Sequence, residues 1–187
     1  MEASIVIPTL NEEDNLKILL KQIDLKKYEI IIVDGGSTDK TVEIANKFGL
    51  KVYHASEGKG AALRKGMGAA KGKIIVTMDA DLSHRISELG LLIEAIKSGY
   101  DICMGSRFIA GGGTDDMPFH RRLGNKFFIW LVNMIWGTNY SDLCYGYRSF
   151  RRDVIKKLKL ESDGFGIETE ISIKAAKKKL KVSEIPS

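Results

Sequence analysis

The chain has 187 residues, 44% hydrophobic and 28% charged, which is the length and composition of one folded domain and excludes disordered and fibrous classes. Its net charge of +5 is unevenly placed, because residues 1–50 hold six Lys/Arg and nine Asp/Glu whereas residues 151–181 hold ten and five. Such a bias suits an anionic membrane surface, a phosphorylated substrate, a nucleic acid or a solvated helix face. The basic residues lack interleaved aromatics, so we expect no nucleic-acid partner.

The cysteines, the first residues and the longest apolar run indicate where in the cell the protein is expected. Cys103 and Cys144 are too few for a disulfide framework and lack the spacing of a zinc site, so we expect free thiols in a reducing compartment. The first residues carry no charged leader. The longest apolar run, residues 127–136, is about half as long as a membrane-spanning helix requires. The expected location is the cytoplasm, either free or peripheral at the cytoplasmic face of a membrane.

Short apolar runs alternate with amphipathic patterns over the first hundred residues. The runs are continuous and rich in β-branched residues, as in strands buried on both faces, and they cover residues 3–8, 29–33, 73–78 and 101–104. Three helical stripes alternate with them: Leu16 to Ile23 after a potential cap at Asn11, Val42 to Phe48 before Gly49, and Leu89 to Ile96 before Gly99. This alternation predicts an α/β fold with one Rossmann-like, mainly parallel sheet and helices on both faces.

Ligands of such sheets bind beyond the carboxyl ends of the strands. The loops predicted at that edge are residues 8–13, 34–39, 79–81 and 105–107, and three of them contain acidic residues. In Asp79-Ala80-Asp81, two carboxylates at a strand-to-loop turn are able to converge on one hard cation that also bridges phosphate oxygens. The same aspartates are also common as turn or cap residues. The motif therefore predicts either a site for Mg²⁺ or Mn²⁺ or a structural turn.

Two glycine-containing loops are weaker signals. The run from Asp34 to Thr41 lets the backbone approach a ligand at Gly35, but it lacks the G-x-G-x-x-G order of a dinucleotide fingerprint. Likewise, Gly58-Lys59-Gly60 lacks the spacing of a phosphate loop. Both are equally consistent with a tight turn before a helix.

Taken together, these motifs resemble glycosyltransferase family 2, whose members have the GT-A nucleotide-sugar-binding fold. The resemblance rests on residues 4–13, 33–41 and 78–81 in this order and spacing. Within the family the sequence is most similar to dolichyl-phosphate mannosyltransferases and related polyprenyl-phosphate glycosyltransferases, through Gly105-Ser106-Arg107, Arg122 with Asn125, and residues 141–148. This resemblance implies one catalytic domain over residues 1–187, without the basic C-terminal segment that is usual in the family.

The resemblance implies roles for individual residues. It implies an inverting, metal-dependent hexosyltransferase that takes GDP-mannose or a UDP-sugar as donor and a polyprenyl phosphate as acceptor. The donor would be bound by Pro8, Thr9, Glu12, Asp34, Gly35, Lys59 and Asp79. Mg²⁺ or Mn²⁺ would be bound by Asp79 and Asp81. The candidate catalytic residues are Asp81, Asp142, Arg107 and Arg122, with the arginines presenting guanidinium groups to phosphates.

Asp142 has two possible roles. In relatives that act on hydroxyl acceptors, an acid in this region is the general base. A polyprenyl phosphate is already an anion, so we expect Asp142 to organise the acceptor site, by orienting Arg148 or the acceptor, rather than to take a proton. A helix over residues 121–136 would be apolar nearly all round, which favours a peripheral membrane contact beside a lipid acceptor, although a buried helix or a dimer contact has the same pattern.

The sequence departs from the family at residues 82–85, Leu-Ser-His-Arg, where a glutamine and a proline are usual. Ser83 is therefore a doubtful metal ligand, and a lone His84 is more often hydrogen-bonded for structural reasons. Two alternative functions remain open. One is transfer to a saccharide hydroxyl in glycan synthesis, and the other is a non-catalytic module that binds nucleotide-sugars or membranes.

Overall fold

The computed structural model describes residues 1–111, 113 and 119–187, and for residues 119–123 it describes the backbone alone. The strands are β1 (Ala3–Thr9), β2 (Glu29–Asp34), β3 (Lys51–His54), β4 (Ile74–Thr77), β5 (Ile102–Ser106), β6 (Arg148–Arg151) and β7 (Val182–Pro186). The helices are α1 (Glu13–Gln22), α2 (Thr41–Lys47), α3 (Lys59–Ala69), α4 (Leu89–Lys97), α5 (Phe119–Trp136), α6 (Arg152–Leu158) and α7 (Ile167–Lys177).

The described strands form one seven-stranded sheet of order β3-β2-β1-β4-β6-β5-β7. Strand β1 pairs in parallel with β2 and with β4, and β5 pairs in parallel with β7. Strand β6 runs antiparallel to both of its neighbours, β4 and β5. The predicted mainly parallel α/β sheet is therefore confirmed, and the four predicted strands correspond to β1, β2, β4 and β5.

Helices cover both faces of the sheet, as predicted. On one face, α1, α2 and α4 bury apolar side chains such as Leu16, Ala45 and Leu92 against alternate residues of β1 and β4. On the other face, α3, α5, α6 and α7 pack on the remaining strand residues through side chains that include Leu63 and Ile171. Because both faces are covered, the central strands read as continuous apolar runs in the sequence.

Helix α5 differs from the other helices in what it exposes. Val132 is buried, but five large apolar side chains of the helix are each more than half exposed: Phe127, Phe128, Trp130, Met134 and Ile135. Among the described residues, these five side chains therefore form an apolar face that the core does not cover. Within the described residues, no helix combines the length and the apolar character needed to cross a bilayer.

Among the side chains that the structure describes, Arg148 is the largest that is completely buried, with 1% of its surface exposed. Its guanidinium donates hydrogen bonds to the carbonyl oxygens of Leu143, Tyr145 and Glu168 and to the hydroxyl of Ser172. A buried charge is stabilised when its hydrogen-bonding capacity is satisfied in this way. Arg148 thus joins the loop before β6 to helix α7, and it orients backbone rather than Asp142.

Candidate functional site

A cavity of about 340 Å³ lies at the carboxyl ends of β1, β2 and β4. Its walls come from the loops after these strands, from the start of α3 and from the segment before α7. The lining residues are Pro8, Thr9, Leu10, Glu12, Gly35, Ser56, Gly58, Lys59, Ala62, Asp79, Ala80, Asp81 and Phe165. Seven predicted donor or metal residues therefore face one space, where the fold class places ligand sites.

The loops after β1 and β2 hold each other in place. Asn11 has φ 55°, and its side-chain oxygen accepts a hydrogen bond of 2.8 Å from the backbone N–H of Thr38. Its own N–H donates to the Ser37 hydroxyl, at 2.9 Å. The prediction that Asn11 caps α1 is wrong, because the helix begins at Glu13 and the Asn11 side chain bridges to the neighbouring loop instead.

Asp34 lies behind this pair of loops, with 2% of its surface exposed. Its carboxylate accepts hydrogen bonds from the backbone N–H groups of Gly36 and Ser37, at 2.9 Å and 3.0 Å. Burial opposes ionisation, but the hydrogen bonds from Ser37 and Gly36 outweigh it and lower the pKa of Asp34. In this structure Asp34 shapes the loop whose Gly35 lines the cavity, and a direct contact with a nucleotide base stays a prediction.

The loop after β4 carries Asp79 and Asp81. The backbone N–H of Asp79 donates to Nδ1 of His84, at 3.0 Å. His84 is buried and stacks on Tyr147 with ring centroids 4.7 Å apart. Burial lowers the pKa of His84 to about 4, so the imidazole is neutral at pH 7 and Nδ1 accepts the bond. His84 therefore fixes the backbone of the predicted metal motif, Asp79-Ala80-Asp81, as the structural interpretation of this histidine predicted.

Asp81 is held by the residue that follows the turn. Its Oδ1 accepts hydrogen bonds from the N–H and the hydroxyl of Ser83, at 3.0 Å and 2.6 Å. Desolvation opposes ionisation, but these two bonds keep the pKa of Asp81 below its usual value. Ser83 thus orients Asp81 through its hydroxyl.

Lys59 joins the metal motif to helix α7. Its ammonium lies 2.8 Å from Asp79 Oδ1 and 3.0 Å from Asp79 Oδ2, and 2.9 Å from Glu168 Oε1. Burial by itself lowers the pKa of Lys59, but the two carboxylates outweigh burial and raise it. Sequence reasoning did not select Glu168 or Phe165, since only the fold brings Phe165 to the cavity and Glu168 to Lys59.

A second cluster lies beside the cavity, at the end of β5 and the start of the loop before β6. Arg107 donates to both oxygens of Asp142, from Nε at 2.7 Å and from one terminal nitrogen at 3.1 Å. Asn125 donates to the same carboxylate at 3.3 Å, and Asp142 has no exposed surface. The Arg107 guanidinium also lies 5.0 Å above the ring of Tyr145, whose hydroxyl donates to the carbonyl of Ser83. The structure thus brings Arg107 and Asp142 together next to the metal loop.

The expectation that Asp142 orients Arg148 is therefore wrong, since its arginine partner is Arg107, and the alternative that Asp142 orients the acceptor stays a prediction. The side chain of Arg122 lies outside the described residues, so its role stays a prediction.

The donor atoms of the cavity fit a cation that arrives with a diphosphate. Asp79 and Asp81 supply carboxylate oxygens, the ligands that Mg²⁺ and Mn²⁺ accept. Within the described part of the chain, no group of three or more His, Cys, Asp or Glu side chains forms a metal cage. Mg²⁺ commonly completes its shell with water and substrate phosphates when a protein offers one or two carboxylates. The residues present suit that arrangement.

Comparison with known proteins identifies relatives of the chain. Its sequence matches the description Glycosyl transferase family 2 over residues 4–159. It is 38% identical to a dolichol-phosphate mannosyltransferase of Pyrococcus furiosus, over 100% of this chain and 56% of that protein. A polyprenol monophosphomannose synthase of Mycolicibacterium smegmatis is 31% identical over 97% of this chain and 75% of that protein. The chain thus spans little more than half of the first relative.

A solved structure shares the architecture. Glucosyl-3-phosphoglycerate synthase of Mycobacterium tuberculosis, in complex with Mn²⁺, uridine diphosphate and phosphoglyceric acid, superposes with a TM-score of 0.78. The two sequences are 21% identical, and the match covers 99% of this chain and 68% of that one. The expected GT-A fold is confirmed.

Proposed function

The chain belongs to glycosyl transferase family 2, and we propose that it transfers a hexose from a nucleoside-diphosphate sugar to a polyprenyl phosphate, with inversion at the anomeric carbon. The observation that supports this most directly is the cavity, where Asp79 and Asp81 face Lys59 and the loops after β1 and β2. Two relatives over almost the whole chain are named for transfer to dolichol or polyprenol phosphate.

The donor half of the proposed mechanism uses the first loops and α3. Pro8, Thr9 and Gly35 line the wall on which the nucleoside rests, and Lys59 donates to the diphosphate. Asp79 and Asp81 would hold Mg²⁺ or Mn²⁺, and the bound cation would offset the negative charge that develops on the departing diphosphate. The hydrogen bonds of His84 with the Asp79 backbone and of Ser83 with the Asp81 carboxylate support this role, because they hold both aspartates in fixed positions.

The acceptor half uses the cluster beside the cavity. Asp142 holds the Arg107 guanidinium through two hydrogen bonds, and Arg107 presents positive charge to the acceptor phosphate. A phosphate oxygen needs little help from a general base, because it is already ionised. The complete burial of Asp142 beneath Arg107 favours a phosphate acceptor over a saccharide hydroxyl.

The proposal is tested by titrating the native chain calorimetrically with GDP-mannose, UDP-glucose and UDP-N-acetylglucosamine, each with Mn²⁺ and with chelator. We expect one donor to bind in a metal-dependent manner, and its sugar to pass to a polyprenyl phosphate, measured as label extracted into organic solvent. A hydroxyl acceptor that is glycosylated faster than the lipid would contradict the choice of acceptor. If none of the three donors binds, the proposal that the chain is a glycosyltransferase is contradicted.

We further propose that the exposed face of α5, within residues 121–136, contacts the membrane that holds the acceptor. Its apolar side chains lie beside Lys126, and amphipathic segments of this kind bind the boundary between headgroups and acyl chains. We place the contact at the cytoplasmic face, a reducing compartment that suits the free thiol of Cys144.

Sedimentation with phosphatidylcholine and phosphatidylglycerol vesicles tests this contact. The double variant Phe127→Ser, Trp130→Ser is expected to lower the fraction of protein bound to vesicles at least about tenfold. The reason is that two aromatic side chains are no longer transferred from water into the membrane interface. The control is Leu91→Ser, which removes an equally exposed apolar side chain from α4, on the other face of the sheet. Equal binding of both variants would overturn the assignment.

A further inference from the structure

Lys59 is an enclosed cation at the metal motif. Its side chain is 16% exposed and that of Glu168 is 5% exposed, and the ammonium lies within 3.0 Å of both oxygens of Asp79. Enclosed charges are rare unless they are paired. The Asp79 carboxylate is therefore already neutralised by a group of the protein itself, before a divalent cation is considered.

The backbone around this ion pair is closely packed. The N–H groups of Gly60 and Ala61 donate to the carbonyl oxygen of Asp163, at 2.7 Å and 3.2 Å, which fastens the start of α3 to the segment before α7. A Cβ atom at Gly60 would lie 2.2 Å from the carbonyl oxygen of Ser162. On the other side, a Cβ atom at Gly146 would lie 2.9 Å from Asp79 Oδ2 and 3.3 Å from the Lys59 ammonium. Because the backbone has little room to move here, we expect the binding of a ligand to move the long side chain of Lys59 instead.

In this arrangement Asp79 and Asp81 should have low affinity for a divalent cation that arrives without a nucleotide. Both oxygens of Asp79 contact Lys59, and Oδ1 of Asp81 accepts two hydrogen bonds from Ser83. A cation that binds alone must displace the ammonium and place three positive charges close together, two of its own and one of Lys59. A cation that arrives with a diphosphate brings the negative charge that the displaced ammonium needs.

We propose that Lys59 is an internal counter-cation that keeps divalent metal off Asp79 until a nucleoside diphosphate is present, and that Glu168 retains the ammonium when it leaves Asp79. This inference rests on the proposed function, since it deepens the role of the same cavity. Metal and diphosphate then bind as a coupled pair, and each raises the affinity of the site for the other.

The test is Mn²⁺ affinity without nucleotide, measured calorimetrically on the native chain and on the double variant Lys59→Met, Glu168→Gln. The double variant keeps the net charge of the native chain and avoids an unpaired charge at the buried position 168, so it is better suited to folding than Lys59→Met alone. Removal of the Glu168 charge by itself weakens attraction of a cation. A gain in Mn²⁺ affinity, which we expect to be about tenfold, can then arise only from the loss of Lys59.

A matched control is the double variant Glu43→Gln, Lys47→Met, which removes an exposed ion pair of α2 at the same net charge. We expect it to leave Mn²⁺ affinity unchanged. In a second series with saturating UDP or GDP, the factor by which nucleotide raises Mn²⁺ affinity should be about tenfold smaller in the Lys59 and Glu168 variant than in the native chain.

Two results would overturn the inference, and they are distinguishable. If the native chain binds Mn²⁺ together with a nucleotide but the Lys59 and Glu168 variant gains no affinity for Mn²⁺ alone, the ion pair is only structural. If the native chain does not bind Mn²⁺ even with UDP or GDP, the proposed function fails first, and this inference fails with it.

Discussion

Replacement of Asp81 by alanine is expected to abolish metal-dependent binding of the nucleotide-sugar and to lower the rate of transfer by about 10³-fold. Asp79 is engaged by Lys59, so Asp81 carries the carboxylate that is less encumbered, with one oxygen bonded to Ser83 and the other available to a cation. Its loss removes one of the two proposed metal ligands, at the point where charge would develop on the leaving diphosphate. Calorimetry with the preferred donor and Mn²⁺ measures the first effect, and single-turnover transfer measures the second.

The control for this variant is Ser83→Ala, which removes the hydroxyl that orients Asp81 but keeps the carboxylate. We expect a smaller loss, about tenfold, because one of the two hydrogen bonds to Asp81 comes from the backbone and remains. Asp81 is exposed, so the thermal unfolding midpoint of Asp81→Ala should stay close to that of the native chain. If Asp81→Ala binds the donor as strongly as the native chain does, Asp81 is not a metal ligand.

The second large effect is expected for Asp142→Asn, which should lower the rate of transfer to polyprenyl phosphate about a hundredfold while donor binding stays within a factor of about two. The asparagine amide offers one acceptor where Arg107 now uses two carboxylate oxygens, so the guanidinium loses its fixed orientation. The loss should appear as weaker use of the acceptor, and it should be equal across about pH 6 to 8, because the proposed phosphate acceptor has no proton to give to a base. Initial rates against acceptor concentration at several pH values measure both.

Asp153→Asn is the matched control, since Asp153 also pairs with an arginine, Arg151, but on an exposed surface. It should leave transfer unchanged. Because Asp142 is buried, circular dichroism and thermal unfolding must show that its variant is folded. An acid limb in the pH–rate profile of the native chain that disappears in Asp142→Asn would instead identify Asp142 as a general base, and would favour a hydroxyl acceptor.

Much of the fold was accessible from the sequence because both faces of the sheet are covered. Strands β1, β2, β4 and β5 are buried over nearly their whole length and read as apolar runs, and α1, α2 and α4 read as amphipathic stripes. Strand β3 was not predicted, because it lies at the edge of the sheet with its residues exposed or half-buried and shows no such run. The antiparallel direction of β6 was not predicted either. The residues of β6 alone do not indicate that this strand lies between β4 and β5.

The candidate site was predictable to the extent that its residues sit in loops after recognisable strands. Asp79, Asp81 and Gly35 were found in this way, and the cavity brings them together. The partners of these residues were not predictable, because each pair joins distant parts of the chain. Lys59 meets Glu168 across more than one hundred residues, and Arg107 meets Asp142 across 35. No local pattern marks such contacts, which depend on how α7 and β6 return to the sheet.

The antiparallel entry of β6 has a consequence for how the site is inherited. Strand β6 starts at the edge where the parallel strands end, so the loop before it reaches the site from the second half of the chain. Most donor-side residues precede position 82, whereas Arg107, Asn125 and Asp142 all lie between positions 106 and 147. An exchange of that one contiguous segment between relatives would alter the acceptor side and leave the loops of β1, β2 and β4 intact. With the roles proposed above, the order of the strands would make acceptor choice separable from donor choice in descent by recombination.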